Sequence, residues 1–142
     1  MDTLDRDILR ALSDDARLSV AVLARRLGVA RSTVQARIER LERDGTIAGY
    51  ALRLGHAAEP LIRATVLLTI EPRAQGAVLS RIRAMPEVAK AVTTSGRVDL
   101  MIELAADSTA RIDAVLDDLG AIPGVKASES LIHLSRKIDR PI

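Results

Sequence analysis

The chain contains no cysteine, no phenylalanine and no tryptophan, and its single tyrosine is Tyr50. Without cysteine there are no disulfides, no thiolate chemistry and none of the common cysteine-based zinc motifs. With one aromatic side chain the core must be aliphatic, and the stacking platforms that single-stranded nucleic acids need are not available. Only two histidines occur, His56 and His133. Neither has a second histidine or a carboxylate cluster near it in sequence, so they read as a linker residue and a strand-surface residue, with no metal site implied. Long apolar runs are missing too. The longest, such as residues 64–70, fall far short of the roughly 20 residues that cross a bilayer. Met1-Asp2-Thr3-Leu4-Asp5-Arg6-Asp7 also lacks the layout of a signal peptide. A cytoplasmic location without a membrane partner is the expectation.

A global excess of charge is also absent. The net charge is +2 over 142 residues, and residues 1–60 carry ten basic and nine acidic groups against eleven and ten in residues 61–142. Any basic surface is therefore local. Between Arg25 and Arg43 lie six arginines and two acids, a local excess of four positive charges. Arginine outnumbers lysine eighteen to three over the whole chain, a bias that suggests a GC-rich genome.

That segment has the outline of a helix-turn-helix. Leu23, Ala24 and Leu27 pattern a short helix, Gly28 follows where a turn needs φ > 0, and a second, arginine-rich helix closes at Gly45. Val34, Ile38 and Leu41 recur at i, i+4 and i+7 and form one apolar stripe. Opposite it the first half of the helix is small and polar. Ala36 lets the backbone approach a major groove and can touch a thymine methyl, while Ser32, Thr33 and Gln35 offer donors and acceptors to base edges. Arg31, Arg37, Arg40 and Arg43 are placed for phosphates or a guanine. A charged helix face alone is usually just solvated. Here the paired glycines and a preceding helix with Leu4, Ile8 and Leu12 give three helices one small core. The alternating segment 46–55 reads as a wing, with Arg53 as a backbone contact.

Residues 55–60, ending in Pro60, read as a linker. Beyond it, residues 62–70 are rich in β-branched residues and predict a strand. A helix is expected over 74–85, strands over 88–94 and 98–104, a helix from an N-cap at Ser108 to about Leu119, and a strand over 125–134. The order β-α-β-β-α-β is the split β-α-β arrangement, making the chain α+β overall. Met85-Pro86-Glu87-Val88 and Ile122-Pro123-Gly124-Val125 echo one another, each proline stopping a helix and each valine opening a strand. Both helices on one face of a four-stranded sheet leave the other face bare. A second copy of the chain is its simplest cover, which predicts a homodimer presenting two recognition helices to a palindromic site.

Several stretches resemble the Lrp/AsnC (feast/famine) family of bacterial and archaeal transcription regulators. In the amino-terminal half these are Leu4-Asp5-Arg6-Asp7-Ile8-Leu9, Asp15-Ala16-Arg17-Leu18-Ser19, Leu23-Ala24, Gly28-Val29, Thr33-Val34, Arg37-Ile38, Leu41-Glu42 and Gly45-Thr46-Ile47-Ala48-Gly49-Tyr50. Ser95-Gly96-Arg97-Val98-Asp99-Leu100 resembles the glycine-x-x-aspartate loop of that family's effector domain. The resemblance implies a winged helix-turn-helix over 1–50, a linker and connecting strand over 51–61 and a ferredoxin-like effector-binding and oligomerisation domain over 62–142. It further implies dimers that assemble into octamers, double-stranded DNA as partner, no cofactor, and an amino acid or related metabolite as effector. By matching position Gly96 and Asp99 would line the effector cleft, with Ser95 and Arg97 beside them and Ser128 and Ser130 on the last strand. The family commonly has serine where this chain has Ala30, so a helix cap is expected to be missing unless Ser32 supplies it. The loop often has an aromatic residue where Val98 stands. Two other readings fit the fold: an effector-blind architectural DNA-binding protein, and a decarboxylase of similar fold, for which no acid-base constellation is evident.

Overall fold

The computed structural model describes residues 1–55, 58 and 62–140, which divide into two compact units. Of the expected linker, His56, Ala57, Glu59 and Pro60 lie outside the described residues. The first unit comprises Met1–Arg53 together with the tail from Ile138, and the second Leu54–Lys137.

Three helices build the first unit: α1 (Thr3–Asp14), α2 (Val20–Leu27) and α3 (Arg31–Arg43). Asp2 caps α1 through a reciprocal box, its carboxylate accepting from the Asp5 amide while the Asp5 carboxylate accepts from the Asp2 amide, both at 3.0 Å. Ser19 caps α2 by accepting from the Val22 amide. At the other end of α2, Gly28 adopts φ 66°, which lets the Val29 amide reach back to the Ala24 carbonyl at 3.1 Å. Ile8, Leu12, Leu23, Ala24, Val34 and Leu41 form the buried core, with Leu4 and Ile38 packed against it. The three apolar stripes therefore meet as their spacing predicts. Residues 46–55, read as the wing, carry no strand in the single chain. An alternating run needs a second strand to pair with, and this unit has none. Tyr50, Leu52 and Leu54 stay exposed.

The second unit runs β1 (Ile62–Ile70), a 3₁₀ turn (Pro72–Ala74), α4 (Gln75–Arg83), β2 (Val88–Thr93), β3 (Leu100–Ala106), α5 (Thr109–Ala121) and β4 (Val125–Ile132). The strands form one antiparallel sheet in the order β2-β3-β1-β4. Alternate residues Ala64, Val66, Leu68 and Ile70 of β1 and Leu100, Ile102, Leu104 and Ala106 of β3 are buried under Val78 and Ile82 of α4 and Ile112, Val115 and Leu119 of α5. Ser108 accepts from the Arg111 amide and caps α5 as expected. The internal echo is structural as well: the Val88 amide donates to the Met85 carbonyl at 3.2 Å, and the Val125 amide to the Ile122 carbonyl at 3.1 Å. Helix α4 is shorter than the expected 74–85: Ala74 belongs to the 3₁₀ turn that Pro72 opens, and at the other end the helix stops at Arg83 with Ala84 as its C-cap.

Candidate DNA interface and effector loop

Helix α3 presents two different sides. Val34 and Leu41 are buried, while Arg31, Ser32, Gln35, Ala36, Glu39 and Arg43 are exposed and Thr33 is half-buried at the margin. Gln35 Nε2 donates to Glu39 Oε1 at 2.8 Å, one turn along the helix. Ala30 is the N-cap and makes no side-chain cap bond, nor does Ser32 replace it. The first turn of α3 thus keeps its amide groups without a side-chain acceptor. At the far end Gly45 takes φ 79°, Asp44 accepts from the Thr46 amide at 3.0 Å, and the Ile47 amide returns to the Leu41 carbonyl at 2.8 Å. Arg53 is exposed in the irregular segment beyond Tyr50, whose hydroxyl donates to Glu42 at 2.8 Å.

Arg37 and Arg40 sit differently from the other arginines of α3. Arg37 Nη1 donates to Asp2 Oδ2 and, at 3.0 Å, to Asp5 Oδ1; Arg40 Nη2 donates to Asp5 Oδ2 at 2.6 Å. Asp5 is 1% exposed, the one buried charged residue among those described. Burial opposes its ionisation, but the Asp2 amide, Arg37 and Arg40 outweigh that and hold its pKa at about 2. Asp2 is likewise lowered, first by the Asp5 amide and then by Arg37. Sequence reading missed this cluster, although Asp2-Thr3-Leu4-Asp5 before an apolar-periodic run is a capping-box signal.

In the second unit, the β2–β3 connection holds the candidate effector residues. Gly96 adopts φ 123°, which a side chain would resist. The loop is closed by the Thr94 amide on the Asp99 carbonyl at 3.1 Å and by Thr94 Oγ1 on the Val98 carbonyl at 2.8 Å. Asp99 also extends the sheet. Its amide donates to the Leu68 carbonyl, and its Oδ2 accepts from the Ile70 amide, each at 2.8 Å, so the carboxylate stands where the next carbonyl of β3 would be. Arg97 reaches Glu129 Oε2 of β4 at 3.3 Å, and both side chains are largely exposed. Ser95 and Gly96 are exposed. Ser128 and Ser130 pair in register with Leu68 and Val66, on the helix-bearing side, whereas Glu129 is in register with Leu67 on the bare side. The structure thus brings Arg97 and Asp99 to the β1–β4 end of the sheet, and leaves the two serines on its other face. A cleft of about 370 Å³ lies elsewhere, between α4 and β2, lined by Leu79, Ile82, Arg83 and residues 88–91. No helix among the described residues is long and apolar enough to cross a membrane.

Comparison with known proteins agrees with this division. Residues 1–48 match the model of a winged helix-turn-helix DNA-binding family, and residues 63–142 that of the Lrp/AsnC ligand binding domain. The chain belongs to the Lrp/AsnC family. It is 32% identical over 142 residues to the HTH-type transcriptional regulator AldR of Mycolicibacterium smegmatis, covering 94% of this chain and 83% of that one. An uncharacterised HTH-type transcriptional regulator of Pyrococcus abyssi is 30% identical, over 96% of this chain and 88% of its own. The solved structure of Escherichia coli AsnC superposes with a TM-score of 0.88 at 27% identity, covering 100% of this chain and 97% of that one. With a DNA-binding helix-turn-helix and an effector domain in one chain, this Lrp/AsnC protein is an effector-modulated, DNA-binding transcription regulator.

Proposed function

We propose that α3 enters the major groove with Ser32, Thr33, Gln35 and Ala36 at base edges and Arg31, Arg43 and Arg53 at phosphates, and that an amino acid bound at the 95–99 loop tunes this binding. The observation that carries the reading is the exposed small polar face of α3, opposite the buried Val34 and Leu41. Such a face allows close backbone approach and hydrogen-bond readout together. At the loop, Asp99 would receive an α-ammonium group, and the amides around Gly96, with Ser95 and Arg97, a carboxylate; Ser128 and Ser130, in register with Leu68 and Val66 on the other face of the sheet, fall outside this site. The bare face of the sheet would be covered by a second copy, with dimers assembling further into an octamer. Half-buried Leu67 and Met101 stand opposite each other there. Because the relatives matched are named as transcription regulators, the chain is read as a cytoplasmic regulator and not an enzyme.

The test is a gel-shift and thermal-shift screen of the amino acids with duplex DNA from upstream of the protein's own gene. A retarded complex whose midpoint moves with one amino acid is expected. Binding that no amino acid alters would favour the effector-blind architectural reading, and no binding to any duplex would refute the DNA assignment. Light scattering should give a wild-type mass of at least two chains, falling to one when Leu67 and Met101 are both replaced by glutamate. A monomeric wild type would defeat the dimer.

A further inference from the structure

We infer that Asp2 and Asp5 hold Arg37 and Arg40 off the DNA, which makes Asp5 a positioning residue for the recognition helix. The inference rests on α3 being that helix. Three observations lead to it. Both guanidinium groups meet carboxylates at the start of α1: Arg37 bridges Asp2 and Asp5, and Arg40, with its side chain 46% exposed, donates through Nη2 to Asp5 at 2.6 Å. The carboxylate they share is almost fully buried and accepts from Asp2, Arg37 and Arg40 together. Such a group is strongly held only while its partners remain, so drawing either arginine toward a phosphate would leave a buried charge short of donors.

The helix geometry agrees. At about 100° per residue, Ala36 and Arg43 lie within about 40° of Ser32, whereas Arg40 is about 80° and Arg37 about 140° away. Arg37 is thus on the shoulder next to the apolar stripe, and its side chain is 29% exposed. The acids also stand at the N-terminus of α1, where the helix dipole favours negative charge. One pair of carboxylates therefore caps α1 and pairs with two arginines of α3. Counting the two acids in, the excess of four positive charges between Arg25 and Arg43 falls to two.

The consequence is a division of labour among the arginines. Nonspecific affinity depends on how many cations reach phosphates, so withholding two of them lowers binding to random DNA and leaves the polar face to discriminate. Asp5 acts through Arg37 and Arg40 and need not touch DNA.

The experiment is fluorescence anisotropy of the full-length protein on a labelled duplex of random sequence, titrated over a range of salt. The expected slope of log affinity against log salt is the same for Arg37→Gln and Arg40→Gln as for the wild type, whereas Arg43→Gln flattens it by about 0.9, the share of one neutralised phosphate. Asp5→Asn, with its helical circular dichroism intact, should steepen the slope by up to about 0.9 for each arginine released and tighten binding to random duplex at low salt. A slope flattened by Arg37→Gln or Arg40→Gln as much as by Arg43→Gln overturns the assignment. So does a folded Asp5→Asn protein with the wild-type slope. Should Asp5→Asn not fold, the two arginine variants decide alone. A wild type with no salt-dependent binding fails differently: it removes the DNA reading itself, and this assignment falls with it.

Discussion

Asp99 has two candidate roles, and the structure separates them experimentally. Its Oδ2 accepts from the amide of Ile70, a residue only 5% exposed. Asp99→Ala removes that acceptor, and the amide has little access to water as a substitute. Leaving a buried donor unsatisfied costs about 1–3 kcal/mol, and each kcal/mol lowers the melting temperature of a unit this size by roughly 4–8 °C. A drop of about 4 °C or more is therefore expected. Asp99→Asn keeps a carbonyl oxygen at the same position and loses only the charge, so it should lie nearer the wild type. Circular dichroism melts at fixed protein concentration are the assay, because the chain lacks tryptophan and association would shift the midpoint by mass action. An alanine variant that melts with the wild type, or an asparagine variant that falls as far as alanine, would refute the structural role. The asparagine variant then tests the effector role on an intact sheet. Loss of an amino-acid-induced thermal shift in Asp99→Asn is expected if the carboxylate meets an α-ammonium group, and survival of the shift would put that contact elsewhere.

Gly124 sits at φ 98°, and a Cβ there would overlap the Cβ of Ala74. Gly124→Ala should cost about 2–5 kcal/mol from backbone strain and overpacking together, and Ala74→Gly in the same chain should restore only the steric share in urea unfolding; full restoration would exclude the strain. Ala30→Ser places an acceptor at the uncapped start of α3, where the backbone is already extended at φ −67°, ψ 148°, and should stabilise the first unit by about 0.5–2 kcal/mol; an unchanged melt would mean that the turn does not admit the cap. Asp5 has its folded pKa depressed to about 2 from an ordinary 3.8. A depressed carboxylate contributes stability that is present above the unfolded value and lost as pH falls through the folded one. Acid titration by circular dichroism should therefore show stability falling between about pH 4 and pH 2, with a shallower loss in Asp5→Asn; identical acid limbs would count against it.

Legibility followed sequence distance. The apolar stripes of α1, α2 and α3 and the alternation of β1 and β3 arise from neighbours one to four residues apart, so their periods were readable and their buried residues fell where expected. The proline–valine echo worked for the same reason. Contacts with partners remote in the chain were not legible. Residues 46–55 alternate as a strand does, but alternation does not reveal whether a pairing strand exists. Arg37 and Arg40 read as phosphate contacts, and their pairing with Asp2 and Asp5, 32–35 residues earlier, left no local signal. Asp99 read as a ligand-binding carboxylate, and nothing local predicts that Ile70, 29 residues away, also presents an amide to it.

The same contrast bears on how a basic helix should be weighed. A run of arginines suggests a strong field, yet the field at α3 depends on which guanidinium groups a neighbouring carboxylate has already satisfied. Here two of the four arginines on α3 meet acids at the start of α1, the buried Asp5 and the exposed N-cap Asp2, while Arg31 and Arg43 flank a surface of Ser32, Gln35 and Ala36. Such a helix gains little from phosphate attraction alone, because that attraction scales with the number of phosphates neutralised. Its preference among sequences would then come from short-range hydrogen bonds and methyl contacts, each good base pairing contributing about 1–3 kcal/mol. Pairing α3 with α1 and sparing its polar face are thus one design. Asp5→Asn would weaken both, since the arginines it releases bind any phosphate equally well.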